Sequence, residues 1–519
     1  MKLFYSFLLA LFCMLILITA PVYSQDSTET ATEKGPSLPS GLSLLNQLKY
    51  SNDTQRNLEI LEDWFNLDYH YDIFSAGIRL VSFQPKDPTV AGLKRKYTDI
   101  DFKYLKVNIG DAGEGLEITA GNFYAMFGRG LILKSYEDRN IRIDNNLLGL
   151  KVTGRYMGFT LSALSGMPEN LNAERVDVLH AFDLEYGGFN PIKAGFTFAS
   201  NQPADDAAAQ TRVASFRILP KIWNFDFYGE YAVKQNKDQQ QKYFNGSRSI
   251  IGKAYYGSMN FFYNNFSLFG EYKYYDNFLF GTADNSVNYN TPPSARKDYT
   301  FILLNRHPSP LNQNNEQGYQ LEANYTVDEG IFLSAVYGVT KTLPAGSFYQ
   351  KINKSNLPEM IQLKESFLQA DITWSNSLST VAAVAYNEEL ATNTVNITPV
   401  LENRFYFGDV NTIKFIIEHQ QTRNRTTLEH YYEDVFTLEY LRSPKFSVSL
   451  VSEMDTHEPD PGRIVRTFWN FIQFGYNIFE HTDISLLIGS RQAGAICIGG
   501  VCRYEPEFHG VELKMLTRL

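Results

Sequence analysis

The stretch GYQLEANYTVDEGIFLSAVYGVT, residues 318–340, decides the fold. Tyr319, Leu321, Ala323, Tyr325 and Val327 alternate with Gln320, Glu322, Asn324 and Thr326. A period of two is the mark of a strand with one apolar and one polar face. Ile331, Leu333, Ala335, Tyr337 and Val339 repeat the pattern after Asp328-Glu329-Gly330. A three-residue turn with Gly330 in the left-handed region closes such a hairpin. It would pair Val327 with Ile331, Tyr325 with Leu333, Ala323 with Ala335 and Leu321 with Tyr337. Every apolar residue then meets another on one face, and a slip of one residue would destroy the match.

The same pattern recurs along the chain, in VDVLHAFDLEY (176–186), WNFDFYGEYAV (223–233), SFLQADITW (366–374) and DISLLIGS (483–490). Tight turns are expected near Asp72, Gly110–Gly115, Gly158, Gly187–Gly188, Pro220, Asn264–Asn265, Asp328–Gly330, Asn376, Gly408–Asp409, Ser443–Pro444 and Glu480. Longer polar loops alternate with them. Aromatic residues flank most tight turns, among them Tyr186, Phe189, Trp223, Tyr263, Tyr325, Trp374, Phe405, Phe407 and Tyr476. Rings gathered at one level are an interfacial girdle, and short turns at one end with long loops at the other is the outer-membrane pattern. The expected fold is all-β: a transmembrane, antiparallel, up-and-down outer-membrane β-barrel with an even strand number, about 24 within a range of about 18–24.

Composition agrees with this class. Aromatics make up 14% of the 519 residues, with 33 Tyr and 38 Phe. The formal charge of −10 argues against a nucleic-acid partner, which calls for a basic surface. Met1 to Ser24 has Lys2, an apolar run from Leu3 to Ala20 and Val22-Tyr23-Ser24 before Gln25, the form of a secretory signal peptide. Residues 25–40, QDSTETATEKGPSLPS, read as a disordered polar leader, and 41–519 as the barrel with no separate plug domain. The expected location is the outer membrane of a Gram-negative cell, in contact with its lipid and lipopolysaccharide.

Removal of the signal would take Cys13 with it and leave Cys497 and Cys502 as a pair. An even pair in an exported chain suggests a disulfide. The two flank Ile498-Gly499-Gly500-Val501, a composition suited to a two-residue hairpin turn. Ile498 and Val501 would form the hydrogen-bonded pair. Cys497 and Cys502 would form the next, non-hydrogen-bonded pair, whose side chains approach closely enough to bond. The same register sets Ile488 against Val511, Leu486 against Leu513 and Ile484 against Met515. The disulfide would staple the tip of an outer loop.

One candidate site stands out. Residues 128–146, GRGLILKSYEDRNIRIDNN, mix both signs in one outer loop through Arg129, Lys134, Glu137, Asp138, Arg139, Arg142 and Asp144. Leu131, Ile132, Leu133 and Tyr136 supply apolar anchors. Folded into the lumen, this loop would constrict the pore and set its local field. The alternative is a solvated loop with ordinary ion pairs. The longest loop, Asp276 to Gln317, is a second candidate constriction or a flexible lid. Lys94, Arg95 and Lys96 face lipopolysaccharide phosphates or plain solvent. Asp455, Glu458 and Asp460 share a loop but lack an EF-hand spacing, so no metal site is assigned. None of the eight histidines lies in a G-x-S-x-G or H-E-x-x-H context, so no catalytic residue and no cofactor are expected.

A barrel of this size needs its lumen filled or wet, and Gln320, Glu322, Asn324, Gln369, Asp371 and Thr373 suit a wet interior. A porin-like channel or transporter for small polar solutes follows. The alternative is a structural or interaction barrel that engages a surface protein partner through its outer loops.

Two segments carry a resemblance. RQAGAICIGGVCRYEPEFHGVELKMLTRL (491–519) and GNFYAMFGRGLILKSYEDRNIRIDNNLLG (121–149) resemble the signature segments of an outer-membrane barrel family from Bacteroidota-type bacteria, domain of unknown function 6029. The resemblance implies the barrel fold and brings no activity with it.

Overall fold

The computed structural model describes residues 38–84, 98–170, 172–204, 210–306, 310–457, 467–478, 481–498 and 501–519. Its body is one closed antiparallel sheet of 24 strands. The wall begins with β1 (Leu42–Asp53), β2 (Leu58–Tyr71), β3 (Phe74–Gln84), β4 (Thr98–Gly110), β5 (Gly115–Phe123), β6 (Leu147–Tyr156), β7 (Phe159–Pro168) and β8 (Val178–Phe189). It continues with β9 (Ile192–Gln202), β10 (Thr211–Ile222), β11 (Phe225–Asn236), β12 (Gly252–Tyr263), β13 (Phe266–Asp276), β14 (Asn315–Asp328), β15 (Ile331–Lys341) and β16 (Ile361–Ser375). β17 (Leu378–Glu389), β18 (Thr394–Phe407), β19 (Asn411–Asn424), β20 (His430–Arg442), β21 (Phe446–Asp455), β22 (Phe468–Ile478), β23 (Thr482–Arg491) and β24 (Phe508–Arg518) complete the round. Each strand pairs with the next, and β24 closes on β1 through pairs such as Leu48 with Met515. No helix of the described residues is long and apolar enough to cross a membrane.

Alternation sets the two faces. On β16, Leu368 is 58% exposed on the outside while its neighbour Phe367 is 2% exposed on the inside. At the end that holds Leu42 and Leu519, exposed Tyr71, Phe74, Tyr156, Phe159, Phe189, Trp223, Tyr263, Tyr325, Trp374, Phe405, Phe407 and Tyr476 form the expected ring of aromatics. A second group, built of tyrosines, lies nearer the other end on β11 to β15. Tyr231 and Tyr255 stand 4.8 Å apart, Tyr255 and Tyr274 5.6 Å, and Tyr319 and Tyr337 6.1 Å. From Trp223 to Tyr231 is about 20 Å along the axis, at ~3.3 Å per residue and a strand tilt of ~40°. That span approaches the ~25 Å height of the apolar band of an outer-membrane barrel.

The expected register at Ile488–Val511, Leu486–Leu513 and Ile484–Met515 is present. So is the backbone pairing of Cys497 with Cys502 and Ile498 with Val501. The side chains of this hairpin and its Gly499-Gly500 tip lie outside the described residues, and so does the disulfide.

The hairpin at 318–340 needs a correction. Tyr325–Leu333, Ala323–Ala335 and Leu321–Tyr337 pair as expected, but Ile331 pairs with Asp328, and Val327 sits at an irregularity in the ladder. Gly330 is not in the left-handed region. The cause is Asp328. Its carboxylate accepts the Gly330 N–H at 2.8 Å, an Asx turn that needs no positive φ. Two other turns shift slightly. The chain reverses between Phe189 and Ile192 and between Ile222 and Phe225. Gly187–Gly188 fall instead in an irregularity between Tyr186 and Phe189, and Pro220 lies within β10, opposite Ile192.

All turns at the terminal end are short, and the long connections lie at the other end. Two of these, residues 124–146 between β5 and β6 and the described residues 277–306 and 310–314 between β13 and β14, turn inward.

Candidate pore constriction

The first infolded loop is held by an apolar tip. Leu131, Ile132 and Leu133 are fully buried, clustered with Phe123, Phe127, Phe278, Phe280 and Tyr289. The wall beneath them is lined with small side chains. Leu164 pairs with Ala181, Ala181 with Ala199, and Ala199 with Val213. Ala232 pairs with Ala254 on the next strands. Larger residues there would occupy the volume that the loop fills, since interiors tolerate few voids and little overlap. Gly128 and Gly130 have φ of 54° and 81°. A Cβ on Gly128 would lie 2.7 Å from the Tyr228 hydroxyl, and one on Gly130 2.9 Å from the Thr291 carbonyl. Both glycines are therefore demanded by conformation and by close approach.

The charged residues then divide. Arg129 lies over Tyr228 of β11, its Cζ 5.3 Å from the ring centre. Lys134 lies over Tyr136 at 4.8 Å. Burial pushes the Lys134 ammonium below its ordinary range, against the opposing pull of Asp138. Asp138 accepts the Asn140 N–H at 2.9 Å. Glu137 and Asp144 converge on Arg79 of β3. Arg79 Nη2 donates to Glu137 at 2.9 Å and Nη1 to Asp144 at 3.4 Å. Arg139 donates to Glu137 at 2.8 Å and to Gln47 of β1 at 2.7 Å, and lies 5.0 Å over Trp64 of β2. Arg142 meets Glu62 of β2 at 2.9 Å. Tyr124 donates to Asp144 at 3.0 Å. Burial, with Asp144 and Glu137 close by, pushes its phenol upward. The loop thus reaches from β11 back to β1.

The second infolded loop crosses the lumen. Near its start Tyr289 donates to Asn201 of β9 at 2.8 Å. Near its end Arg306 reaches Glu453 of β21 at 2.5 Å. β9 and β21 are twelve strands apart in a ring of 24, so the loop spans the bore. Between these points Lys297 meets Glu322 of β14 at 3.1 Å, and Arg296 approaches Glu365 of β16 at 3.8 Å. The N–H groups of Ile302 and Leu303 donate to the two oxygens of Glu418 on β19 at 3.0 and 2.8 Å. Leu303 and Leu304 are fully buried against the wall. The two loops also bond to each other: Lys134 N donates to Tyr289 O at 2.8 Å, and Asn290 to Leu131 O at 3.2 Å.

Arg79, Trp64, Glu322, Glu418 and Glu453 lie five to seven residues from the turns. At ~3.3 Å per residue and a ~40° tilt this is about 13–18 Å above the terminal end, near the middle of the wall. The sequence reading placed Glu322 on the inner face but missed Arg79, Trp64, Glu418 and Glu453, as well as Gln47 and Glu62. The available signal was a charge at an inward-parity position within a strand, as at Arg79 in SAGIRLVSF. Lys94, Arg95 and Lys96 lie outside the described residues, as do Glu458 and Asp460. Asp455 ends β21 and accepts from Gln492 at 3.2 Å.

Three solved structures are similar to this chain at low identity. The P pilus usher (PapC) translocation pore is 10% identical, with 92% of this chain and 99% of that one covered and a TM-score of 0.47. The copper transporter OprC is 10% identical, with 92% and 80% covered and a TM-score of 0.46. The FrpB iron transporter from Neisseria meningitidis is 9% identical, with 93% and 82% covered and a TM-score of 0.40. No protein of curated function matches the sequence. A family pattern matches all of residues 1–519, and the chain belongs to that family, the family of unknown function DUF6029.

Proposed function

We propose that the protein is an outer-membrane channel for small polar solutes whose bore is narrowed at mid-depth by its two infolded loops. The crossing of the lumen by the second loop, from Asn201 to Glu453, carries this reading. A ring of 24 strands has a backbone diameter of about 45–50 Å, by strand spacing and tilt. Open, it would pass large molecules without selection. Nearer the terminal end than the loops' wall contacts, the inner wall is polar through Asn324 and Asp371. Arg129, Arg139, Arg142, Glu137 and Asp144 then set the field of the constriction. The apolar outer face between the aromatic ring and the tyrosines of β11 to β15 supports a place in the outer membrane, with the short turns in the periplasm. These tyrosines, with Lys253 lying 5.7 Å over Tyr255 and 5.2 Å over Tyr274, would face lipopolysaccharide.

The test is conductance in planar bilayers. Small, steady, ion-selective steps are expected. Absence of any conductance from a correctly folded barrel would overturn the reading. A second reading, an interaction barrel for a surface protein, gains support from the full burial of Leu131–Leu133 and Leu303–Leu304, which ties both loops firmly to the wall. A silent barrel that co-purifies with a stable partner would favour it.

A further inference from the structure

Beneath the second loop, between Phe301 and the ends of β16, β17 and β18, lies a cavity of about 390 Å³. Its charged lining residues are Asp371, Glu402 and Arg404. Arg404 donates its Nε to Glu402, yet its side chain stays 44% exposed in the lumen. Asp371 accepts one hydrogen bond, from Gln369 at 2.9 Å, and has no other among the described residues. A carboxylate with acceptor capacity to spare and a guanidinium with free donors therefore share one wall.

Register gives their spacing. Asp371 pairs with Val381, and Val381 with Glu402. Thr373 pairs with Ser379, and Ser379 with Arg404. Asp371 and Arg404 are thus two strands apart and offset by one inward step. Their Cα atoms lie about 12 Å apart, from strand spacing and rise. Arg is long and Asp short, so the headgroups stand about 8–12 Å apart. A charge-assisted hydrogen bond of about 2.8 Å at each end leaves room for a molecule whose own charges are about 3–6 Å apart.

We infer that this cavity binds a short zwitterionic solute, an amino acid or dipeptide, with its ammonium on Asp371 and its carboxylate on Arg404. Phe301 supplies the apolar roof. With Glu402 present the cavity has a net charge of −1, so the ammonium end is held the more strongly. The inference rests on the channel reading for the route by which the solute arrives.

The experiment is equilibrium binding of glycylglycine to the detergent-solubilised, full-length protein, in parallel with bilayer conductance. Glycylglycine should bind about tenfold more tightly than its N-acetylated or C-amidated form, since each lacks one charge-assisted contact. Asp371→Asn should erase the preference over the acetylated form, and Arg404→Gln the preference over the amide. Arg404→Lys should retain most of the binding, and heat-modifiable gel migration reports whether each variant has folded. Equal binding of the three peptides, or folded Asp371→Asn and Arg404→Gln variants that discriminate like the native protein, would overturn the site. Conductance without peptide binding sinks this inference and leaves the channel standing. Peptide binding without conductance does the reverse.

Discussion

Consider the double substitution Leu131→Ala with Leu133→Ala. Both side chains belong to the apolar tip of the first infolded loop and are fully buried. A buried Leu→Ala change costs about 2–5 kcal/mol, the larger values arising where the site cannot collapse. The wall here is a paired sheet of small residues and has little freedom to close the gap. The pair should therefore weaken docking by roughly 4–8 kcal/mol, with some non-additivity because the two residues share neighbours. That raises the undocked population about a thousandfold to a millionfold. The barrel itself should persist, since its strand pairs do not depend on the loop. Trypsin reads the difference directly, because Arg129, Lys134, Arg139 and Arg142 all lie in the loop. The native protein in proteoliposomes should resist cleavage there, and the variant should be cut within 129–142 while keeping its heat-modifiable migration. Conductance should rise in the same preparation. A folded variant that is as protease-resistant as the native chain would refute the claim that these leucines hold the loop in the lumen.

Gly128→Ala should also loosen this loop, because a Cβ at φ 54° would lie 2.7 Å from the Tyr228 hydroxyl; the expected loss is about 1–2 kcal/mol, and enhanced cleavage after Arg129 checks it. Replacing Arg129, Arg139 and Arg142 together with Ala should move the reversal potential toward cation selectivity, and an unchanged potential in a conducting protein would remove this loop from the constriction. Arg306→Ala should leave Glu453 without its closest cation and free the far end of the second loop, which single-channel recording would show as larger or noisier steps. Cys497 and Cys502 should be inert to thiol reagents until reduced; the loop they close is short, so losing the bond should cost at or below the roughly 2–4 kcal/mol typical of disulfides, and the wall should survive it.

The wall was legible from residues 318–340 alone because a strand's facing is a local property. Tyr325 and Leu333 point outward whatever the rest of the chain does, and their match fixes the register to within the turn. The turn itself escaped because two local solutions compete at Asp328-Glu329-Gly330. A glycine permits a left-handed turn, but the Asp328 carboxylate captures the Gly330 N–H and makes that conformation unnecessary. The terminal hairpin was legible for the same reason as the wall, since Cys497 and Cys502 are only five positions apart.

Whether the loops fold inward was not legible, because their docking energy resides in residues far away in sequence. Leu131 is an ordinary apolar loop residue until Ala181, Ala199, Val213, Ala232 and Ala254 are brought into one patch by successive strand registers. Glu137 and Asp144 are tied to the third strand of the wall only when β3 carries Arg79 to their level. The second loop joins β9 to β21, a span that exists only once the ring has closed. Alternation along each strand thus determines a barrel and its two faces. The occupied interior follows from closure, because only a closed ring sets distant inward positions opposite one another.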